Sequence, residues 1–438
     1  MAEQAARQIV ERLRAAGRQA LYAGGAVRDR VLGLAAQDYD VATDAPPAEV
    51  MRLFPHHTAV GAQFGVVLVH LDGSSIEVAT FRTEDSYRDG RHPGEVAYAT
   101  DPREDVQRRD FTINGLLLDP ASGEVLDYVG GRADLAAGLV RAIGEPERRF
   151  HEDRLRMLRA VRFAARLDFE IEAGTLAAIQ QQAGEIGQIS AERVRDELVK
   201  MLTEGRARRA FELLDATGLL VQVLPEVKAM QGVEQPPEYH PEGDVWTHTL
   251  MMLEALPRPA SPTLALGVLL HDVGKPPTFR RAPDRIRFDR HASIGAVMAG
   301  RICARLRLPG AEAAAVVALV ADHMKFMELA RMRESTRKRF LRQPGMAERL
   351  ELLRLDSTMS HGDLSLYQLA QAKLGELRPE ELRPPKLVTG HDLIAMGYAP
   401  GPRFQQILEA VEDAQLEGEL ADAEAARRFV SQHYPVAH

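Results

Sequence analysis

The chain has 438 residues, enough for about three domains. Hydrophobic residues make up 45% and charged residues 27%, a balance that excludes a disordered or fibrous protein. Its 55 basic and 63 acidic residues leave a net charge of −8, which argues against general attraction to nucleic acid but leaves local basic patches open.

One cysteine, Cys303, excludes a disulfide framework and a cysteine-based zinc site. The first 17 residues read as an amphipathic helix with acidic residues, not as a secretory signal, and no apolar run reaches the ~18 residues of a membrane span. The cytoplasm is therefore the expected compartment. Only seven of the basic residues are lysines, a bias that genome composition explains as well as phosphate recognition does.

The first 140 residues alternate short apolar runs with turn residues. The pattern predicts strands at 20–23 and 38–42, a hairpin of 66–71 and 75–81 about Asp72-Gly73, and helices at 4–16, 25–33 and 47–53. From about residue 145 helical periodicity dominates, broken by Gly and Pro clusters. Residues 377–388 read as a linker to a last helical piece. The predicted fold is an α/β head followed by an elongated all-helical body.

Two constellations carry chemistry. In the first, Gly24-Gly25 falls between a strand and a helix, where backbone amides can approach a phosphate, and Arg28 sits one turn further on. Asp38 and Asp40 are spaced i, i+2, which in a strand puts both carboxylates on one face. Such a pair suits Mg²⁺ ions for in-line attack on phosphorus, and Glu77 in a later strand offers a third carboxylate. Each piece alone is as well explained by a turn glycine or a solvated strand edge. Their order within 17 positions is more specific.

The segment GGAVRDRVLGLAAQDYDVATDAPPAEV resembles the first motif of class II tRNA nucleotidyltransferases (CCA-adding enzymes) and of the related bacterial poly(A) polymerases, which share a polymerase-β-like head. Further segments follow in that family's order: FRTEDSYRDGRHPGEVAYA, RRDFTINGLLLD (with Gly115 where alanine is usual), YVGGRADL, EDRLRMLRAVRFAARLDF and ERVRDELVKML. The resemblance implies that Asp38 and Asp40 bind Mg²⁺. It also implies that Arg109, Asp110 and Asn114 handle triphosphate, ribose and site geometry, and that Asp153 and Arg156 read the incoming base. Arg159 and Arg162 continue the nucleotide-binding set. The loop 83–98, with Glu84, Asp85, Tyr87, Arg88, Asp89, Arg91 and His92, would help switch the pocket from C to A.

The base-reading role is chemically consistent. Asp153 and Arg156 are spaced i, i+3 on a predicted helix, so the two side chains are neighbours. An Arg donor and an Asp acceptor match the acceptor and amino groups of cytosine and adenine. Guanine and uracil reverse the pattern, at a cost of roughly 1–3 kcal/mol per unsatisfied group. An exposed helix salt bridge is the plainer alternative for the same two residues.

The second constellation is His248, His271-Asp272, His291, His323 and Asp356, each on or beside a predicted helix. This N/O set suits one or two divalent transition metals between helices, with Lys275 beside a substrate phosphate. It resembles the HD phosphohydrolase superfamily, which implies hydrolysis of phosphoesters, unless the site is purely structural. His240 stays open. The other histidines, among them His56, His57, His70 and His361, read as ordinary surface or packing residues.

Basic clusters at Arg331, Arg333, Arg337, Lys338, Arg339 and Arg342, at Arg206, Arg208 and Arg209, and at Arg154, Arg159, Arg162 and Arg166 are candidate RNA contacts or solvated faces. The resemblance extends to KLVTGHDLIAMGYAPGPRFQQIL, implying a tail that meets tRNA, although residues 401–438 set three arginines against seven acids. The expected organisation is a nucleotidyltransferase head at 1–140, a neck with the nucleotide-selecting motif at 141–225, an HD body at 226–375 and a tRNA-binding tail at 376–438. The expected activity is template-independent addition of CCA to tRNA from CTP and ATP. The alternatives are A-only addition, poly(A) synthesis, or an HD phosphohydrolase whose head docks tRNA. Neither the HD metal nor the oligomeric state is legible in the sequence.

Overall fold

The computed structural model describes residues 1–36, 38–59, 65–87 and 93–436, with the backbone alone at 84–87, 93–96 and 379–380. It divides into two compact units, Met1–Lys228 and Ala229–His438.

The first unit opens with a helix, Ala2–Ala15, that buries Ala5, Ala6, Ile9, Val10 and Leu13 along one stripe. Nine strands follow: β1 (Ala20–Ala23), β2 (Asp40–Thr43), β3 (His57–Thr58), β4 (Val66–Leu71), β5 (Ser74–Thr80), β6 (Arg82–Tyr87), β7 (Pro93–Tyr98), β8 (Leu116–Leu118) and β9 (Val125–Asp127). Seven of them form a mixed sheet in the order β3-β4-β5-β2-β1-β8-β9, and β6 and β7 make a separate ribbon. The β4–β5 hairpin turns at Asp72 (φ 49°) and Gly73 (φ 74°), the two left-handed residues such a tight turn requires.

The strand predicted at 38–42 begins instead at Asp40. Its partner β1 ends opposite it, in the pair Ala23–Asp40, and the chain then leaves the sheet through Gly24 at φ 66°. Asp38 therefore has no strand partner on that side. Gly115 also has a reason: a Cβ there would lie 2.7 Å from Val129 Cγ2, so the valine fills the space an alanine methyl would occupy.

The rest of this unit is almost entirely helical. The helix Leu155–Leu167 is buried along most of its length, including Arg156 and Arg162. Asp153 and Arg156 do not share a helix as the spacing predicted. Asp153 ends the preceding helix Pro146–Glu152 in an extended conformation (φ −144°, ψ 103°), and its Oδ1 accepts a bond from the Leu155 N–H at 3.1 Å. A short carboxylate competing for nearby backbone donors breaks the helix there.

The second unit packs helices Val245–Glu254, Pro262–Leu270, His291–Arg305, Gly310–Asp322 and Met346–Met359, with a small strand pair, Phe279–Arg281 and Ile286–Phe288. Residues 377–388 do not behave as a free linker. Leu377 and Leu382 pack on the cluster of Phe326, Leu329, Phe340 and Leu350. The terminal helices close a second small core of Val388, Leu393, Tyr398, Ile407, Val411 and Val430. No helix among the described residues is long and apolar enough to cross a membrane.

Candidate functional sites

In the first unit β2 and β5 run parallel, with Asp40 directly beside Glu77. Adjacent in-register residues project from one face of a sheet. These two carboxylates and Asp38 line a cavity of about 920 Å³ with Gly24, Gly25, Arg28, Arg109, Asp110, Asn114, Asp153, Arg156, Arg159 and Arg162. The structure thus brings the carboxylates, the glycine pair and the nucleotide-binding residues singled out from the sequence to one cavity. A Cβ at Gly24 would sit 3.4 Å from Arg109 Nη1 and 3.6 Å from Asp40 Oδ2, so the glycine clears room as well as taking a left-handed turn.

Burial and then the neighbouring Glu77 push the Asp40 carboxyl up to about 7, with Arg109 pulling against them. Crowded carboxylates that resist joint ionisation fit a divalent cation.

The cations on the wall are mostly committed to partners. Arg28 is buried and donates to Asp29 Oδ1 (2.8 Å) and Asn114 Oδ1 (2.7 Å), so its guanidinium braces the site as well as facing it. Asn114 donates to Asp110 Oδ1 at 3.0 Å, and Arg159 grips Asp110 Oδ2 through Nε (2.8 Å) and Nη2 (2.6 Å). Burial alone would raise the Asp110 carboxyl, but Arg159 and Asn114 reverse this and hold it at about 2. Arg109 bonds Asp105, and Arg162 bonds Glu197 at 2.6 Å while stacking on Phe163.

Asp153 faces the cavity, but its carboxylate is held by Arg193, which the sequence reading did not single out: Nη1 to Oδ1 at 3.2 Å and Nη2 to Oδ2 at 2.8 Å. Arg156 donates to the carbonyls of Arg149 (2.9 Å) and Arg108 (3.1 Å) and to Glu152 (3.1 Å). Arg193 lies in the quoted segment ERVRDELVKML, so the signal was present but unassigned. Of the loop 83–98, Arg88, Asp89, Arg91 and His92 lie outside the described residues, as do the side chains of Glu84, Asp85 and Tyr87.

The second unit gathers its histidines as the spacing predicted. His248 lies in the helix Val245–Glu254, His271 and His323 cap helices at their C-termini, and His291 opens one. His271, His291 and His323 each place Nδ1 on a backbone carbonyl three residues earlier, Val268 (2.8 Å), Phe288 (2.9 Å) and Val320 (2.7 Å). A carbonyl only accepts, so each Nδ1 carries the proton, and a neutral ring in this position turns an Nε2 lone pair inward. Burial keeps His291 and His323 neutral, the latter lowered to about 4. Their Nε2 atoms face each other at 3.1 Å, with Asp272 Oδ1 3.7 and 3.9 Å away.

Two lone pairs and a carboxylate converging without a proton between them fit a cation. His271 Nε2, buried and without a hydrogen-bond partner, adds to this, as does His248 Nε2, 3.2 Å from Asp356 Oδ1. Lys275 Nζ reaches Asp272 at 2.6 Å. Gly274 makes the cluster possible: a Cβ there would be 2.2 Å from the His291 carbonyl.

A cavity of about 650 Å³ opens onto this cluster. Its wall includes Asp272, Lys275, His291, His323 and Asp356, and also Arg285, His240 and His361. His361, read from sequence as a surface residue, therefore lines the site, and Glu242, not singled out at all, joins it through hydrogen bonds to His248 and His240. Neither sits at a spacing that marks a ligand, and only the fold brings them in.

Many cations of the basic clusters have partners within the chain. Arg339 and Arg342 bond Glu412 (2.7 Å each), Arg339 also bonds Asp413 (2.9 Å), and Lys338 donates to the Leu416 carbonyl (2.9 Å). These cations hold the helix Glu334–Leu341 against the helix Pro402–Leu416, and the acids of the tail are their partners. Arg206 and Arg209 pair with Asp168, and Arg208 pairs with Glu212. Arg154 pairs with Glu185 and Arg166 with Asp29.

Comparisons with known proteins agree with this layout. The poly A polymerase head domain family matches residues 20–141, the family described as "Probable RNA and SrmB- binding site of polymerase A" matches 168–231, and the HD domain family matches 244–356. The CCA-adding enzyme of Lactobacillus gasseri is 32% identical over 425 residues, 96% of this chain and 95% of the relative. That of Lactiplantibacillus plantarum is 47% identical over 199 residues, about half the length of each (45% and 49%). Among solved structures, the Bacillus stearothermophilus CCA-adding enzyme in complex with CTP aligns over 99% of both chains, with a TM-score of 0.72 and 27% identity. With a full-length relative above 30% identity and a polymerase-type head, helical segment and HD domain in the same order, the chain belongs to the CCA-adding enzymes, a family of tRNA nucleotidyltransferases.

Proposed function

We propose that this chain builds the CCA end of tRNA from CTP and ATP, using the cavity of its first unit and no nucleic-acid template. The observation that carries the reading is the side-by-side Asp40–Glu77 pair with Asp38, facing Asp153 and Arg156 across one cavity. The three carboxylates would hold Mg²⁺, which supplies Lewis acidity at the primer 3′-hydroxyl and the α-phosphate. Arg109 lies beside Asp40 for the triphosphate, and Arg159, Asp110 and Asn114 form a rigid hydrogen-bonded floor. Asp153 accepts from the amino group of cytosine or adenine, while Arg156 donates to the neighbouring ring acceptors. Positioning and charge stabilisation supply most of the rate.

The division of labour follows the segments: head 1–140, nucleotide-selecting neck 141–225, HD body 226–375, tRNA-binding tail 376–438. The cytoplasm is the fitting compartment for such work. In the HD body His248, His271, Asp272, His291, His323 and Asp356 would hold one or two divalent transition metals, whose Lewis acidity serves phosphoester hydrolysis. Lys275 and Arg285 line the cavity where a phosphate would lie.

The test uses tRNA ending in the discriminator base, in C or in CC, each with labelled CTP or ATP. Extension of all three to CCA is the expected result. Use of the CC-ending tRNA alone would assign A-only addition instead, and hydrolysis without incorporation would assign a phosphohydrolase with a docking head.

A further inference from the structure

His248 is held unlike the other three histidines of the HD cluster. It lies in the first turn of the helix Val245–Glu254, where the carbonyl three residues earlier belongs to Val245. That carbonyl already accepts from Thr249 Oγ1 at 2.9 Å. In its place stands Glu242, two residues before the helix N-cap Asp244. Glu242 Oε1 accepts from His248 Nδ1 at 2.6 Å and from His240 Nδ1 at 2.9 Å, and the two rings meet edge to face with centroids 5.0 Å apart. The side chain of Glu242 is only 5% exposed, and its Oε2 is buried without a hydrogen-bond partner.

A carboxylate in this position does two things that a backbone carbonyl cannot do as well. It carries a full negative charge, which strengthens the electron donation of the imidazole beyond it. It also locks two rings at once, so that both His248 and His240 direct Nε2 away from Glu242. His240 lines the cavity wall, whereas Glu242 is set behind it.

We propose that Glu242 is a positioning residue of the HD metal centre: by fixing the tautomer and orientation of His248, and secondarily of His240, it raises the affinity of the cluster for a divalent transition metal. The inference rests on the reading of the cluster as a metal centre.

The test is a titration of the chelator-treated full chain with Co²⁺ alone, read by the visible absorption of the bound ion. Asp40→Asn is included in every protein so that the head carboxylates do not compete. Glu242→Gln should weaken binding by about 10–100-fold, and Glu242→Asp should recover part of the loss. In a His248→Ala background the same Glu242→Gln change should cost much less, because only the secondary route through His240 remains. CTP and ATP incorporation by Glu242→Gln with Asp40 intact should match the parent and so report a folded chain. Unchanged affinity in Glu242→Gln overturns the proposal. So does an undiminished loss in the His248→Ala background, which would mean general damage. Parent binding that Asp272→Ala does not weaken would instead remove the metal-centre reading itself, and the proposal with it.

Discussion

The head cavity and the HD cavity both assemble carboxylates and buried cationic or imidazole groups, yet they prepare for a cation in opposite ways. In the head the prospective ligands are all oxygen, and the strain is burial compounded by repulsion: Asp40 is desolvated beside Glu77 and is pushed up to about 7. In the HD body the ligands are mainly nitrogen, and preparation is a matter of tautomers. Backbone carbonyls accept from Nδ1 of His271, His291 and His323, so their Nε2 atoms gather around Asp272, while Asp356 and Glu242 hold His248 from either side. Hard oxygen ligands suit Mg²⁺, and imidazoles suit transition metals. The two donor sets would therefore favour different divalent metals.

The largest effects should separate the two centres. Asp40→Ala should lower nucleotide incorporation by roughly a thousandfold or more and leave HD phosphoester hydrolysis intact, measured on the same preparation. Asp272→Ala should do the reverse, abolishing transition-metal binding while incorporation persists. If either variant disables both activities, the contrast between the centres fails.

A stability effect tests the head floor. Arg159→Ala would leave the buried Asp110 carboxylate with only Asn114 and the Phe111 N–H as donors, costing about 1–3 kcal/mol in denaturant unfolding.

Proton linkage sharpens the same contrast. In the metal-free protein the Asp40 carboxyl ionises only near pH 7, whereas in the unfolded chain it ionises near 3.8. The unfolded state thus loses its proton first, and stability falls as pH rises through that window and stays low above it. Asp40→Asn should therefore stabilise the metal-free protein at pH 8 but not at pH 3, and parent Mg²⁺ affinity should weaken as pH drops below about 7. Equal stability of variant and parent at pH 8 would remove the repulsion argument. Arg193→Gln should free the Asp153 carboxylate to rotate and raise misincorporation from UTP or GTP about tenfold, read against CTP and ATP. The smallest effect is expected at Arg342→Ala, where a half-exposed ion pair to Glu412 is worth less than about 1 kcal/mol.

Much of both sites was legible because the relevant residues are close in sequence and their chemistry constrains spacing. Gly24 to Asp40 falls on one strand–helix–strand turn, and His271-Asp272 falls at one helix end. The Asp153–Arg156 spacing misled, because a carboxylate before an N–H-rich helix start can break the helix as well as decorate it. The basic run 331–342 was ambiguous for another reason: charge in a sequence does not show what it faces, and here Arg339 and Arg342 meet Glu412 and Asp413, some 70 residues away.

By itself the sequence determined the order of the segments, the α/β head before a helical body, and the two ligand sets, since periodicity and donor type are local properties. Only the tertiary structure decided the rest. It set Asp40 beside Glu77 through a parallel register, gave Asp153 to Arg193, set Arg339 and Arg342 against the acidic tail, and put Glu242 behind His248. The first three are pairings between distant segments, fixed by packing and burial that no stretch of residues encodes alone, and the last spans six residues whose backbone path into the helix brings carboxylate and ring together.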